Sequence, residues 1–176
     1  MKDKIIFSID PGSVTMGFAS LRILENKPLL PRHFHVVTAG MIRLPGTMAY
    51  QMRLQQIQRG LSDLFDEYRP EFVVLERAFS GVNAATALKL GEVRGLAMCV
   101  AFQKGLQVFE LTPAEVKRHV TGNGRASKDQ VELAMKGLLN FERGTLSQDA
   151  TDALAIGLTF GLKLMHGSGQ GAVVGS

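Results

Sequence analysis

The run Ile5-Ile6-Phe7-Ser8-Ile9, stopped by Asp10-Pro11-Gly12-Ser13, leaves this chain few choices. Its residues are mostly apolar and favour β structure, and the run is too short for a typical buried helix. In Asp-Pro-Gly, proline presets φ and glycine accepts φ > 0, which is turn chemistry. The segment therefore reads as a buried strand ending in a tight turn, with Asp10 as its last residue. A carboxylate there stands at the rim of a sheet, where a metal ion can approach while the apolar strand behind it keeps the group in place. The same tripeptide also serves as a plain connector between strands, so a chemical role for Asp10 depends on what the rest of the chain brings to it.

Val14 to Leu24 and His33 to Leu44 read as two further strands, separated by a loop around Asn26-Lys27-Pro28 and Pro31. Short connections between the three imply an antiparallel meander. Pro45-Gly46 ends it, and Thr47 is placed to cap a helix from about Met48 to Tyr68 with the apolar stripe Tyr50, Leu54, Ile57, Leu61, Leu64 and Tyr68. After Arg69-Pro70, Phe72-Val73-Val74-Leu75-Glu76 is a near-continuous apolar strand of the kind buried on both faces in a parallel sheet, and it too ends in a carboxylate. A second helix spans Asn83 to Lys104, a fifth strand Gln107 to Leu111. Thr112-Pro113-Ala114-Glu115 is a capping box opening a helix to about Val120, and Ser127-Lys128-Asp129-Gln130 opens another to about Leu139. Thr121 to Arg125 between them is a basic, glycine-containing loop. The last helix starts near Ser147 and runs to about His166, with Leu154, Leu158 and Leu162 on its apolar face.

This order describes an α/β chain with a central five-stranded mixed sheet, three antiparallel meander strands plus two parallel ones, flanked by helices. At 176 residues and 45% hydrophobic content the expectation is a single domain over residues 1–166 and a flexible glycine-rich tail over 167–176. No apolar run reaches transmembrane length, and Lys2-Asp3-Lys4 leads straight into a strand instead of a signal-peptide pattern, so a cytoplasmic protein is expected. Cys99 is the one cysteine, which excludes an intramolecular disulfide and a cysteine-based zinc site, and its apolar neighbours predict a core position. The net charge of +4 favours a polyanionic partner. Arg77, Lys89, Arg94, Lys117, Arg118, Arg125 and Lys128 fall close to the segments that carry candidate chemistry.

Asp10 and Glu76 end predicted central strands, and Asp149 and Asp152, three apart in the first turns of the last helix, share a helix face. Acids in a first turn also complement the helix dipole. Brought together, such carboxylates repel one another unless a cation neutralises them. Oxygen-only ligands suit Mg²⁺ or Mn²⁺, and two such ions about 3.5–4 Å apart serve phosphodiester hydrolysis. Acids that hold metal and bases that hold phosphate make sense together.

Four segments resemble the RuvC family of Holliday-junction resolvases, which has the RNase H-like fold. They are Ile9-Asp10-Pro11-Gly12-Ser13 with Gly17; Leu75-Glu76-Arg77-Ala78-Phe79; Asn83 to Gly91 with Arg94-Gly95; and Asp149-Ala150-Thr151-Asp152-Ala153-Leu154-Ala155. The resemblance runs from Ile5 to about Leu164. It implies that Asp10, Glu76, Asp149 and Asp152 are the catalytic, metal-binding residues, with two Mg²⁺ ions per site and Mn²⁺ as a substitute. It implies a homodimer that binds four-way junction DNA and nicks two strands of like polarity, leaving 5′-phosphate and 3′-hydroxyl ends, in recombination and repair. The branch-migration proteins RuvA and RuvB are the implied partners. Phe79 takes the place of a residue that stacks on a base near the crossover, and Lys117 and Lys128 of residues that meet phosphates. Arg77, Arg125 and Lys89 are further DNA-binding candidates.

Gly91 and Gly95, four apart in the second helix, permit close approach of another backbone. The residues alone favour a core role for Leu88, Val93, Leu96 and Val100; the resemblance puts a dimer interface on this helix. Two departures from the family pattern are Ser8, where many relatives have glycine, and Phe18-Ala19 in place of an aromatic-glycine pair. Three other readings compete: an ATP-dependent phosphotransferase of the actin and sugar-kinase class, which needs a second lobe; a junction-binding module that does not cut; and a related ribosomal-RNA-processing family, whose first hairpin differs from Pro11-Gly12-Ser13.

Overall fold

The computed structural model describes residues 3–24, 34–77, 83–139 and 146–165. The loop around Asn26-Lys27-Pro28, the predicted strand start at His33, Phe79, His166 and the tail over 167–176 lie outside the described residues. Five strands, β1 (Lys4–Asp10), β2 (Thr15–Ile23), β3 (Phe34–Arg43), β4 (Phe72–Glu76) and β5 (Gln107–Leu111), form one sheet in the order β3-β2-β1-β4-β5. β1 pairs antiparallel with β2 and β2 with β3, whereas β1 with β4 and β4 with β5 are parallel. This is the mixed sheet expected from the sequence. The helices are α1 (Tyr50–Tyr68), α2 (Ala84–Gln103), α3 (Pro113–Thr121), α4 (Lys128–Leu139) and α5 (Gln148–Met165). Among the described residues none is long and apolar enough to cross a membrane.

Side chains alternate across a strand, and the two central strands therefore feed two cores. Ile6 and Val74 pack with residues of α3, α4 and α5, such as Val116, Met135 and Leu154. Phe7, Ile9, Val73 and Leu75 pack with α1 and α2 through Ile57, Leu61, Val93 and Ala97. Continuing the alternation by one step, Asp10 and Glu76 emerge on the α5 side.

Helix α1 starts later than predicted, at Tyr50 with Ala49 as N-cap and no side-chain cap, so Thr47 does not cap it. Its buried stripe is Arg53, Ile57, Leu61 and Phe65, rotated from the predicted one because Arg53 turns inward to donate to the Ser13 carbonyl at 2.9 Å. Both predicted capping boxes form. The Thr112 hydroxyl accepts from the Glu115 amide at 3.2 Å while Glu115 accepts from the Thr112 amide at 2.8 Å, and Ser127 and Gln130 exchange the same pair of bonds.

Helices α5 and α2 differ most from expectation. From Ala153 to Gly161 α5 is buried around its whole circumference, not along one face. Gly157 and Gly161 allow this: a Cβ on Gly161 would lie 2.2 Å from the Phe34 ring, and one on Gly157 2.6 Å from Leu21 and 2.7 Å from the Ser8 hydroxyl. Ser8 is fully buried, donates to the Ala19 carbonyl at 3.3 Å and finds its space against Gly157. In α2 only Val93, Ala97, Val100 and Ala101 are buried. Cys99 is exposed, which corrects the core position predicted for it, because it sits on the helix face opposite Ala97 and Ala101. Leu88 is 65% exposed and has no core role either.

Candidate active site

β1 and β4 are parallel neighbours with Ile9 opposite Leu75, so Asp10 and Glu76 leave the sheet side by side at the same end. Gly17, directly across from Asp10 on β2, has no room for a side chain: a Cβ there would lie 2.1 Å from the Asp149 carbonyl oxygen. The first turn of α5 thus rests on the sheet beside Asp10. Ser147 precedes that turn, and its hydroxyl accepts from the Ala150 amide at 3.3 Å. One turn of helix then carries Asp152 over the two strand ends.

Asp10, Glu76 and Asp152 share a cavity of about 240 Å³ with Lys117 of α3 and Lys128 of α4, over an apolar floor of Val116, Val131 and Ala155. Asp149 is half-buried and does not line it. Among the described residues, no three acidic, histidine or cysteine side chains are already drawn into the spacing of a single metal shell. The acids nonetheless act on one another. Burial, and then the charges of Glu76, Asp152 and Asp149, push the Asp10 carboxyl up to about 7 against the opposing pull of Lys128. Burial and Asp152 raise Glu76 to about 6, with Lys128 and Lys117 opposing. Asp152 is raised as well, by burial first, although the Lys128 ammonium stands 3.6 Å away. Two lysines therefore do not neutralise the group. Carboxylates held up in this way, with oxygen donors from three separate elements, fit a hard divalent cation, whose charge would favour their ionised forms.

Lys128 is the first residue of α4, a position where the helix dipole disfavours a cation; Asp152 supplies the compensating charge. Lys117 is carried by α3, in whose first turn Glu115 accepts from Thr112 and from the Lys163 ammonium of α5 at 2.8 Å. Burial alone would raise Glu115, but these bonds outweigh it and bring its carboxyl down to about 2. The capping box is visible in the sequence; Lys163, 48 residues away, is not.

The remaining basic candidates stand away from the cavity. The Lys89 ammonium lies 5.7 Å from the centre of the Tyr50 ring, and the Tyr50 hydroxyl donates to the Lys89 carbonyl at 3.3 Å. Arg125 is exposed in the loop after α3. Arg77 is half-exposed and pairs at 3.8 Å with Glu110, which also binds Arg94. No local motif marks Glu110, since its partners come from the end of β4 and the middle of α2.

A family profile described as crossover junction endodeoxyribonuclease RuvC matches residues 6–160. The RuvC crossover junction endodeoxyribonuclease of Alkalilimnicola ehrlichii is 42% identical over 153 residues, 87% of this chain and 88% of that protein. A solved structure of Thermus thermophilus RuvC in complex with a Holliday junction substrate superposes with a TM-score of 0.83 at 25% identity, covering 94% of this chain and 97% of that one. The yeast mitochondrial Holliday junction resolvase Ydc2, at 13% identity and a TM-score of 0.67, covers 92% of this chain and 80% of its own and shares the fold.

Proposed function

The chain belongs to the RuvC family of crossover junction endodeoxyribonucleases, and we propose that it resolves four-way DNA junctions by paired, symmetric nicks in strands of like polarity. The observation that carries this reading is one cavity in which three mutually repelling carboxylates face two lysines. Asp10, Glu76, Asp149 and Asp152 are the residues that would hold two Mg²⁺ ions, or Mn²⁺ in their place. Bound there, such ions supply activated water for attack on phosphorus and charge to stabilise the departing 3′-oxygen.

The chain's own residues do the rest. The apolar strands behind Asp10 and Glu76 fix where those carboxylates point, and the docking of α5 on Gly17 fixes Asp152 against them. Lys117 and Lys128 line the same cavity as the strand-end acids, where they neutralise charge that develops on the transferred phosphoryl group. Phe79, three residues beyond Glu76, is assigned to base stacking at the crossover, a contact worth about 1–3 kcal/mol and tolerant of sequence.

A junction has two strands to cut, and α2 offers a way to supply a second site. Leu88, Gly91, Gly95, Cys99 and Phe102 recur at helical spacing along its exposed side. Among the described residues, no atom outside the helix's own backbone and the chain neighbours lies within 4 Å of where a Cβ on Gly91 or Gly95 would stand, so none of them uses the close approach these glycines permit. We assign this stripe to a second copy of the chain.

The test is cleavage of a labelled four-way junction against a linear duplex of matched sequence, with Mg²⁺ or EDTA, for wild type and Asp10→Asn. Paired, metal-dependent nicks on the junction alone, reduced by about 10²-fold or more in the variant while binding persists, are expected. Tight junction binding without nicking in Mg²⁺ or Mn²⁺ would make the protein a binding module and overturn the catalytic assignment.

A further inference from the structure

Behind Glu76, on the face of the sheet turned toward α1 and α2, lies an ion-pair cluster that the cleavage chemistry does not use. Glu110 of β5 stands opposite Leu75, on the same face as the buried Val108, and its side chain is 9% exposed. It hydrogen-bonds the guanidinium of Arg94 from α2 and pairs with Arg77 at 3.8 Å. Arg77 is the residue immediately after Glu76, and its backbone amide donates to the Leu111 carbonyl at 2.8 Å. A buried ion pair is weak grounds for stability, because desolvation offsets most of the attraction and apolar replacements are often neutral. Its placement is more telling. Neighbouring side chains in an extended segment point to opposite faces, so anchoring Arg77 on the α2 side turns Glu76 toward the cavity on the α5 side.

We propose that Glu110 is a positioning residue for Glu76: with Arg77 and Arg94 it pins the end of β4 and ties the placement of that carboxylate to helix α2. This rests on the reading of Glu76 as a metal-holding residue. Groups that orient metal-binding side chains typically change metal affinity or activity by about 10–100-fold when altered. A shift of α2, such as docking of a second copy, would reach Glu76 through Arg94.

The experiment uses the full chain with Glu110→Gln, which removes the charge at constant shape, and Arg94→Lys, which keeps the charge and loses the planar fork. Asp66→Asn, which breaks the Lys104–Asp66 pair elsewhere on the surface, serves as control. Native-state hydrogen exchange reads the Arg77 amide against those of Phe7 and Ile9, calorimetry reads Mn²⁺ binding without DNA, and junction affinity is measured in EDTA. Expected for Glu110→Gln are Arg77 exchange at least tenfold faster with β1 unchanged, Mn²⁺ affinity about 10–100-fold weaker, and junction affinity within twofold of wild type. Arg94→Lys should fall between, and it decides the matter if Glu110→Gln does not fold. Unchanged Mn²⁺ affinity in folded variants would overturn the proposal. So would exchange that accelerates equally in β1, or a loss confined to junction affinity, which would make Arg77 a DNA contact. Wild type that binds Mn²⁺ but cuts no junction would sink the nuclease reading, while calorimetry and exchange still judge the bridge.

Discussion

Helices α2 and α5 each carry glycines four residues apart, and the two pairs serve opposite ends. Gly157 and Gly161 are consumed within the subunit, pressed against Ser8, Leu21 and Phe34 so that α5 sinks into the sheet. Among the described residues nothing packs on Gly91 and Gly95, and the helix that bears them exposes Leu88 and Phe102 beside them. A small-residue spacing in a sequence records that something comes close; only the packing tells whether that is the chain's own sheet or another molecule. On the α5 side close packing forces acids together. On the α2 side it leaves a surface to be covered.

The largest effect should come from Asp10, the buried strand-end acid that α5 packs against. With its carboxyl at about 7 in the folded protein against 3.8 for the ordinary group, Asp10 does not penalise folding below about pH 4, where both states are protonated. As pH rises from about 4 to 7 the unfolded chain ionises first, so the metal-free protein should lose on the order of a few kcal/mol of stability, completely by about pH 8. Urea unfolding in EDTA should show this decline, Asp10→Asn should flatten it, and Mg²⁺ should restore stability at pH 8. A flat wild-type profile would mean that burial and the neighbouring acids do not hold Asp10 up.

Next come the glycines themselves. Gly157→Ala or Gly161→Ala should each lower the unfolding free energy by about 1–3 kcal/mol through overpacking, seen as a lower urea midpoint. Gly91→Ala or Gly95→Ala should do the reverse, raising monomer stability by up to about 1 kcal/mol through helix propensity while weakening self-association in sedimentation equilibrium. If both pairs destabilise alike, the contrast fails.

The smallest effect concerns the clasp between α5 and α3. Glu115, at about 2 in the folded state against 4.5 for the ordinary group, stabilises the protein above about pH 4.5 and loses that contribution as pH falls toward 2. Because it is more than a third exposed, solvent screening holds the contribution below about 1 kcal/mol. Lys163→Met should remove most of it, as acid unfolding curves would show.

What the sequence made legible was local. Strand ends at Asp10 and Glu76, the Thr112 and Ser127 capping boxes and the order of strands depend on neighbouring residues, and the structure has them all. Thr47 failed as a cap because the chain makes a further turn before α1 begins, with the Met48 amide donating to the Pro45 carbonyl at 3.0 Å. Cys99 and Leu88 were misplaced because α2 is apolar around much of its circumference, so composition could not say which side faces the sheet. Arg53, Glu110 and Lys163 were illegible for a different reason. Their partners lie far along the chain, and only the folded topology brings them together.

The seat of α5 on Gly17 also sets a timetable. Asp10 leaves the ribosome with the first strand, whereas Asp149 and Asp152 arrive with the last described helix, after every described strand has been made. A nascent chain that has already paired β1 with β4 presents two acids at a strand rim and nothing opposite them. On the proposed assignment of the four acids, cleavage competence arrives only when α5 lands. On that assignment a copy truncated before that helix would cut no DNA.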